Sequence, residues 1–326
     1  MRVVVAGGAG YIGSHVSHRL AAAGHSVVVL DNLSTGHRNS VPSGAEFVHG
    51  DVGDPLLCRK ALEGADALVY LAAWKAAGES MTDPVKYSRN NIQATLSFLD
   101  AALDRGVRKV VFSSSAAVYG EPRRLPIDED HPKEPENYYG FTKLEIERIL
   151  GWYDRLCGMR SACLRYFNAA GYDPEGKVVG LERNPANLIP VVMEVACGMR
   201  ESMQVFGTDY PTRDGSGVRD YIHVTDLAEA HLQALAKLEE TDASFAVNLG
   251  TGRGDTVLEV VAAAERITGR KVAHKIVGRR AGDPAELWAS GEKAREVLGW
   301  TPKHSDLDTI VRTTWEAYAA NGRVRA

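Results

Sequence analysis

The stretch from Met1 to Asp31, MRVVVAGGAGYIGSHVSHRLAAAGHSVVVLD, decides the fold. Val3, Val4, Val5 and Ala6 are apolar without polar alternation, the pattern of a short strand buried on both faces. Gly7, Gly10 and Gly13 follow at a regular spacing. Tyr11 to Ala23 then carries apolar residues at helical spacing and stops at Gly24. Val27 to Leu30 reads as a second buried strand, with Asp31 at its end. Strand, glycine turn, helix, strand and terminal acid together form a dinucleotide-binding unit. The glycines let the chain turn tightly and bring backbone N–H groups against a pyrophosphate, which the helix N-terminus faces with its partial positive charge. Asp31 can accept hydrogen bonds from both ribose hydroxyls, and its charge repels a 2′-phosphate. The expected cofactor is therefore NAD rather than NADP.

The remaining composition narrows the class. A chain of 326 residues can build one large α/β unit or two closely joined lobes. A net charge of −4 gives no reason to expect nucleic acid or an anionic membrane surface as partner. Cys58, Cys157, Cys163 and Cys197 form no C-x-x-C pair and no metal-like spacing with histidine, so reduced thiols in a cytoplasm are expected and no metal. The first strand follows Met1 at once, so no signal peptide is expected. No apolar run approaches the ~20 residues that span a bilayer.

Further strand–helix alternation extends the first unit. Glu46–Gly50 is expected to be a third strand, ending in Asp51 and Val52. Asp51 could meet an adenine amino group and Val52 its ring; equally, Asp51 or Asp54 could begin a helix as its N-cap. Ala67–Ala73 reads as a fourth strand, with small residues that leave room for a dinucleotide and Lys75 just beyond. A helix over Asn90–Arg105, a strand over Lys109–Ser113, a helix from Tyr138 to about Cys157 and a strand over Ser161–Tyr166 follow. This alternation predicts a doubly wound parallel sheet, with ligands at the carboxyl ends of its strands. Beyond Asn168, Gly, Pro and Asn become frequent. Helices are expected over Asn187–Met199, Asp226–Leu238 and Val257–Gly269, a strand over Ala246–Leu249, and a glycine-rich loop over Gly207–Arg219. The expected division is a Rossmann domain over 1–168 and a smaller mixed α/β substrate lobe over 169–326, closely packed with some chain interleaving.

Tyr139 and Lys143 lie four apart on one predicted helix, so their side chains share a face. A free tyrosine, with a pKa near ~10, is a poor base at neutral pH. A neighbouring ammonium and a positive nicotinamide would stabilise its phenolate. Ser115, past the preceding strand, could hydrogen-bond the same substrate oxygen.

These segments carry a resemblance. GGAGYIGSH (Gly7–His15), DNLSTG (Asp31–Gly36), KAAGES (Lys75–Ser80), SSSAAVYG (Ser113–Gly120), YYGFTK (Tyr138–Lys143), LRYFNAAG (Leu164–Gly171) and FGTDYPTRDGSGVRDYIHV (Phe206–Val224) resemble the extended short-chain dehydrogenase/reductase family, and within it the UDP-glucose 4-epimerase branch. The likeness runs from residue 1 to about residue 315. It implies Tyr139 as catalytic base, Lys143 as the residue that holds the nicotinamide ribose and lowers the tyrosine pKa, and Ser115 as the contact to the sugar 4-hydroxyl. It implies an NAD site of Gly7, Gly10, Tyr11, Ile12, Asp31 and Asn32. Asp51, Val52, Lys75, Asn90, Ser113 and Tyr166 complete that site with Tyr139 and Lys143. The UDP-sugar would be held by Ser115, Asn168, Asn187, Leu188 and Phe206, with Arg219, Arg280, Asp283 and Leu287. Two arginines suit a diphosphate, because a guanidinium grips two oxygens at once.

The implied activity interconverts UDP-glucose and UDP-galactose, with possible extension to UDP-N-acetylhexosamines. The sugar is oxidised at C4 by tightly held NAD, turns about its unreacting UDP anchor, and is reduced on its other face. The resemblance also implies a homodimer pairing the helices that begin near Asn90 and Tyr138. A 4,6-dehydratase of the same scaffold carries Asp-Glu after the serine; here Ala116 and Ala117 stand there, and dehydration is not expected. An epimerase of another UDP-sugar is the nearest alternative. A non-catalytic NAD sensor would usually lack the Tyr139–Lys143 pair. In the epimerases the residue before the tryptophan of GDPAELW (Gly282–Trp288) gates the sugar pocket; Leu287 in that place is smaller than tyrosine and would admit a 2-N-acetyl group, or it is simply core packing.

Overall fold

Val3 and Val5 pack into one hydrophobic layer and Val4 and Ala6 into another, and all four are fully buried. The unbroken apolar run thus has the cause the sequence suggested: a strand covered on both faces. The computed structural model describes residues 1–178, 180–183, 185–280 and 283–324. β1 (Arg2–Ala6) is followed by α1 (Tyr11–Ala22), β2 (Ser26–Asp31), β3 (Glu46–His49), α2 (Pro55–Ala61) and β4 (Ala67–Tyr70). Short helices α3 (Ala77–Thr82) and α4 (Pro84–Tyr87) lead to α5 (Thr95–Asp104) and β5 (Lys109–Ser113). Then come α6 (Tyr138–Cys157), β6 (Arg160–Tyr166) and β7 (Asn168–Ala170). The remainder comprises α7 (Leu188–Ala196), β8 (Met203–Phe206), β9 (Val218–Arg219), β10 (Tyr221–His223), α8 (Val224–Thr241) and β11 (Phe245–Leu249). It closes with β12 (Asp255–Thr256), α9 (Val257–Thr268), β13 (His274–Val277), β14 (Glu286–Leu287), α10 (Glu292–Leu298) and α11 (Leu307–Ala320).

Among the described residues, seven strands form one sheet in the order β11-β6-β5-β4-β1-β2-β3, with every neighbouring pair parallel. This is the doubly wound α/β fold. One face is covered by α1 and α8, whose Val16, Leu20, Leu227 and Leu235 are fully buried; the other is covered by α2, α5 and α6 through Cys58, Phe98, Leu99 and Leu150. Each such side chain contributes about 1.5–3 kcal/mol on burial. The order reverses between β1 and β4, where the crossovers leave a crevice at the carboxyl ends of the strands. A further apolar cluster from α7, α9 and α11, including Ile189, Val260, Ala264 and Val311, forms the core of the second half of the chain. The sheet's last strand, β11, and its covering helix α8 both come from beyond residue 169, so the chain returns to the first unit after building part of the second.

Local signals place the ends of α6. Asn137 caps its start by accepting the Gly140 N–H at 2.9 Å, and Gly158 ends it in the left-handed region at φ 65°. Elsewhere the structure departs from the sequence reading. The helix expected from Asn90 begins as α4 at Pro84, and residues 88–94 wind as a π-helix before α5. That wider turn accompanies the burial of Asn91, whose amide takes the Trp74 N–H and donates to the Trp74 carbonyl, both at 2.9 Å. β4 stops at Tyr70 rather than Ala73, and α7 spans only Leu188–Ala196. Helices α3, α10 and α11 and the small sheets of the second half lay outside the sequence reading, while α2 was foreseen only as a helix that Asp51 or Asp54 could cap.

Candidate active site

Gly7 makes the first turn possible. It sits at φ 80°, and a Cβ there would lie 2.9 Å from the Ala72 nitrogen. Gly13 is needed for close approach: its Cβ would fall 2.0 Å from the Gly7 carbonyl oxygen. Gly10 is the N-cap of α1, so Tyr11 and Ile12 open a helix whose N-terminus has no capping side chain and no acid in its first turn. That leaves first-turn N–H groups and the helix dipole for an anion. Asp31 is 8% exposed at the end of β2, and its two oxygens accept the Ala9 N–H at 2.9 Å and the Leu33 N–H at 2.8 Å. The same acid thus pins the glycine turn and still has lone pairs free to accept further hydrogen bonds. Asn32 donates to Asp51 at 2.7 Å; Asp51 also takes the Gly53 N–H, while Asp54 is the true N-cap of α2. Val52 is buried in the core beneath them. Asp51, Gly53, Arg89, Asn90, Gln93 and Ala94 line an open depression of about 370 Å³ beside β3's end. A turn that only glycines can form, an uncapped helix N-terminus, an acid at β2 and an open polar depression fit a dinucleotide such as NAD.

Lys75 is ion-paired with Glu182, linking this rim to the second half of the chain. Tyr11 does the same, donating its hydroxyl to the Gly171 carbonyl at 2.5 Å and packing on Tyr172 with ring centroids 5.2 Å apart.

The chemical end lies past β5 and β6. Lys143 is buried on α6 and donates to the Ser113 carbonyl at 2.7 Å. Its ammonium stands 5.9 Å from the Tyr139 ring centre and 4.9 Å from that of Phe112. Burial pulls its pKa down to about 7, and the nearby Glu147 carboxylate acts in the opposite direction. Burial raises the pKa of Tyr139, and the neighbouring Ser115 hydroxyl offsets this only partly. Lys143 uses one of its three N–H donors on the Ser113 carbonyl. Ser115 caps the short turn after β5 by accepting the Ala117 N–H at 3.2 Å. Ser113 shares a hydrogen bond with the buried Tyr166 hydroxyl, and the Tyr139 N–H is held by Ser80 Oγ at 3.0 Å.

On the substrate side, Asn168 donates to the Asp220 carbonyl from both its N–H, at 3.2 Å, and its side-chain amide, at 3.0 Å. Asn187 is the N-cap of α7 without a side-chain capping bond, and Leu188 packs on the apolar cluster beneath. Arg219 pairs with Asp283 at 3.6 Å, and the Arg280 guanidinium lies 4.1 Å over the Phe206 ring. Leu287 is half-buried against Val118, Tyr119 and Leu144; Gly282, which begins the segment quoted for it, lies outside the described residues. The structure gathers the cofactor-end and Tyr139–Lys143 residues along the carboxyl edge of the large sheet. The arginine–acid pair and Phe206 stand on the small sheets of the second half.

Three groups escaped the sequence reading. Asn91 fixes the loop after β4. The buried Glu147–Arg165 pair ties α6 to β6, with Ser114 donating to Glu147 and Arg165 reaching Tyr119 at 2.9 Å. Asp220, fully buried between β9 and β10, has its carboxyl pushed up to about 7, chiefly by burial. A carboxylate inside the apolar run around Tyr221–Val224 was the one visible signal for the last.

Comparison with known proteins adds the following. Residues 3–250 match the model of the NAD dependent epimerase/dehydratase family. The chain is 46% identical to the UDP-glucose 4-epimerase of Lacticaseibacillus casei over 318 residues, covering 97% of this chain and 96% of that one. It superposes on the UDP-glucose 4-epimerase of Brucella ovis in complex with NAD with a TM-score of 0.95 at 46% identity, covering 97% and 98% of the two chains. The Bifidobacterium longum enzyme in complex with NAD+ and UDP gives a TM-score of 0.92 at 36% identity with full coverage of both, 100% each.

Proposed function

The chain belongs to the NAD dependent epimerase/dehydratase family, and from that membership we propose that it is an enzyme interconverting UDP-glucose and UDP-galactose with bound NAD. The observation that carries the reading is Tyr139 with Ser115 beside it and Lys143 buried one helical turn on, held by the Ser113 carbonyl, at the sheet edge that also holds the glycine turn and Asp31. In this reading Tyr139 takes the proton of the sugar 4-hydroxyl and later returns it. Ser115 holds the same oxygen in line. Lys143, fixed by Ser113, orients toward the nicotinamide ribose. Bound NAD supplies the reversible oxidation at C4. Arg219 and Arg280 grip the diphosphate, so the sugar can turn without leaving. Asp31 binds the adenosine ribose and excludes NADP; Tyr11 and Ile12 offer backbone N–H groups to the pyrophosphate. Asp51, Val52 and Asn90 take the adenine end, and Lys75 and Tyr166 the nicotinamide end. Asn168, Asn187, Leu188, Phe206 and Asp283 take the nucleotide and sugar.

Residues 1–168 make the NAD lobe and 169–326 the UDP-sugar lobe, with residues 224–249 returning to cover and extend the first. A homodimer is supported by exposed apolar side chains: Phe141, Trp152 and Leu156 on α6, with Met81 on α3 and Val85 on α4 beside it. Four free thiols suit a reducing cytoplasm, and among the described residues no helix is long and apolar enough to cross a membrane. The test is direct. Purified protein should release NAD on denaturation and convert UDP-galactose to UDP-glucose in an assay coupled to UDP-glucose oxidation. NAD-loaded protein that leaves UDP-galactose unchanged overturns the reading.

A further inference from the structure

Asp220 joins three segments that are far apart in sequence. Its N–H donates to the Leu287 carbonyl at 3.1 Å, and its carbonyl accepts the N–H and the side-chain amide of Asn168. Its carboxylate accepts the Thr251 hydroxyl at 2.7 Å, the Thr251 N–H at 3.1 Å and the Ala289 N–H at 3.2 Å. Arg219 is its immediate neighbour in the chain and pairs along β14 with Leu287. Burying a carboxylate is costly even when it is hydrogen-bonded. Here the donors converge from the loop after β11 and from the segment just past β14, so the charge fixes both against β9.

We propose that Asp220 is a positioning residue for the UDP-sugar, locking Asn168, Arg219 and Leu287 from three separate strands into one wall of the substrate cleft. The proposal rests on the epimerase reading above. That wall has to present the sugar to Tyr139 in both of its orientations, so a small displacement weakens binding on either side of the reaction. Asp220 touches no reacting atom and acts through the residues it holds.

The test uses full-length, NAD-loaded protein. Asp220→Asn keeps one acceptor oxygen and sets an amide against a donor that the second oxygen now serves. It should raise KM for UDP-galactose about tenfold while kcat changes less than about threefold, at wild-type NAD content. Thr251→Val removes the hydroxyl that serves Asp220 and the Arg253 backbone, leaves the Thr251 N–H on the carboxylate, and should raise KM severalfold, which keeps the question decidable if the Asn variant folds poorly. Combining Asp220→Asn with Thr251→Val should raise KM by less than the product of the two single effects, because the Asp220 carboxylate works through the Thr251 hydroxyl it accepts. Unchanged KM in both Asp220→Asn and Thr251→Val overturns the proposal, as does a loss confined to NAD content and melting temperature. Calorimetry with UDP-galactose separates the two readings. A wild type that binds the nucleotide without turning it over refutes the epimerase reading, while the loss of affinity in Asp220→Asn still decides the positioning role.

Discussion

Replacing Gly13 by alanine would place a Cβ 2.0 Å from the Gly7 carbonyl oxygen and 2.8 Å from the Gly7 carbonyl carbon. Ordinary contact begins at 3.4 Å, so α1 and the glycine turn would have to separate by about 1.4 Å. The atoms in the way are backbone, and no rotamer change relieves them. Overpacking of this kind costs about 3 kcal/mol, a shift of roughly 4 °C in melting temperature for a chain of this size. The same displacement draws the N-terminal N–H groups of α1 away from the pyrophosphate, so NAD should be lost as well. Gly10 makes the contrast. Its Cβ would meet only the Gly7 oxygen, at 3.2 Å, and its φ of −73° suits any residue. Gly10→Ala should therefore melt within about 2 °C of the wild type when NAD is stripped from both, yet retain less NAD, because the added methyl stands where the pyrophosphate approaches. The assay is thermal melting of NAD-stripped protein together with NAD released per chain on denaturation. A Gly13→Ala protein that melts with the wild type, or two variants that lose stability equally, would refute the division of labour between these glycines.

Tyr139→Phe should fold and keep NAD but lose activity by on the order of 10²-fold or more, since the phenolic oxygen is the only proposed base; near-normal turnover of UDP-galactose would reject that role. Acid should destabilise the protein early. Burial lowers the pKa of His15 to about 4, of His231 to about 4 and of His223 to about 3, so between pH 6.5 and those values the unfolded chain binds more protons than the folded one and stability falls as pH falls. The raised carboxyls of Asp220 and Asp255 work the other way, but they are two groups against five lowered histidines, His18 and His25 included. Melting temperatures should thus drop steadily from pH 6.5 to 4.5, and a flat profile over that range would contradict the buried, neutral histidines. Leu287→Tyr should suppress turnover of UDP-N-acetylgalactosamine while sparing UDP-galactose; equal loss of both, or no N-acetylated activity in the wild type, would leave Leu287 as packing alone.

Much of this molecule is written in short-range pattern. The run Val3–Ala6, the glycines at 7, 10 and 13 and the acid at 31 required no partner from elsewhere to be read, because β-strand burial, positive φ and helix N-terminal chemistry are local. The same holds for Asn137 and Gly158 at the ends of α6, and for Tyr139 and Lys143 one helical turn apart. Tertiary structure alone decided what those groups meet. Lys143 spends its hydrogen bond on a carbonyl from β5, and Asn91 turns a predicted helix into a π segment to hold the loop after β4. β11 crosses back from the second half to close the sheet, which no period in its residues announces. Asp220 is the clearest case, because residues 168, 251, 287 and 289 reach it only after the chain has folded. Sequence spacing encodes periodicity and local turn chemistry, whereas hydrogen bonds spanning tens of residues depend on where whole strands come to rest.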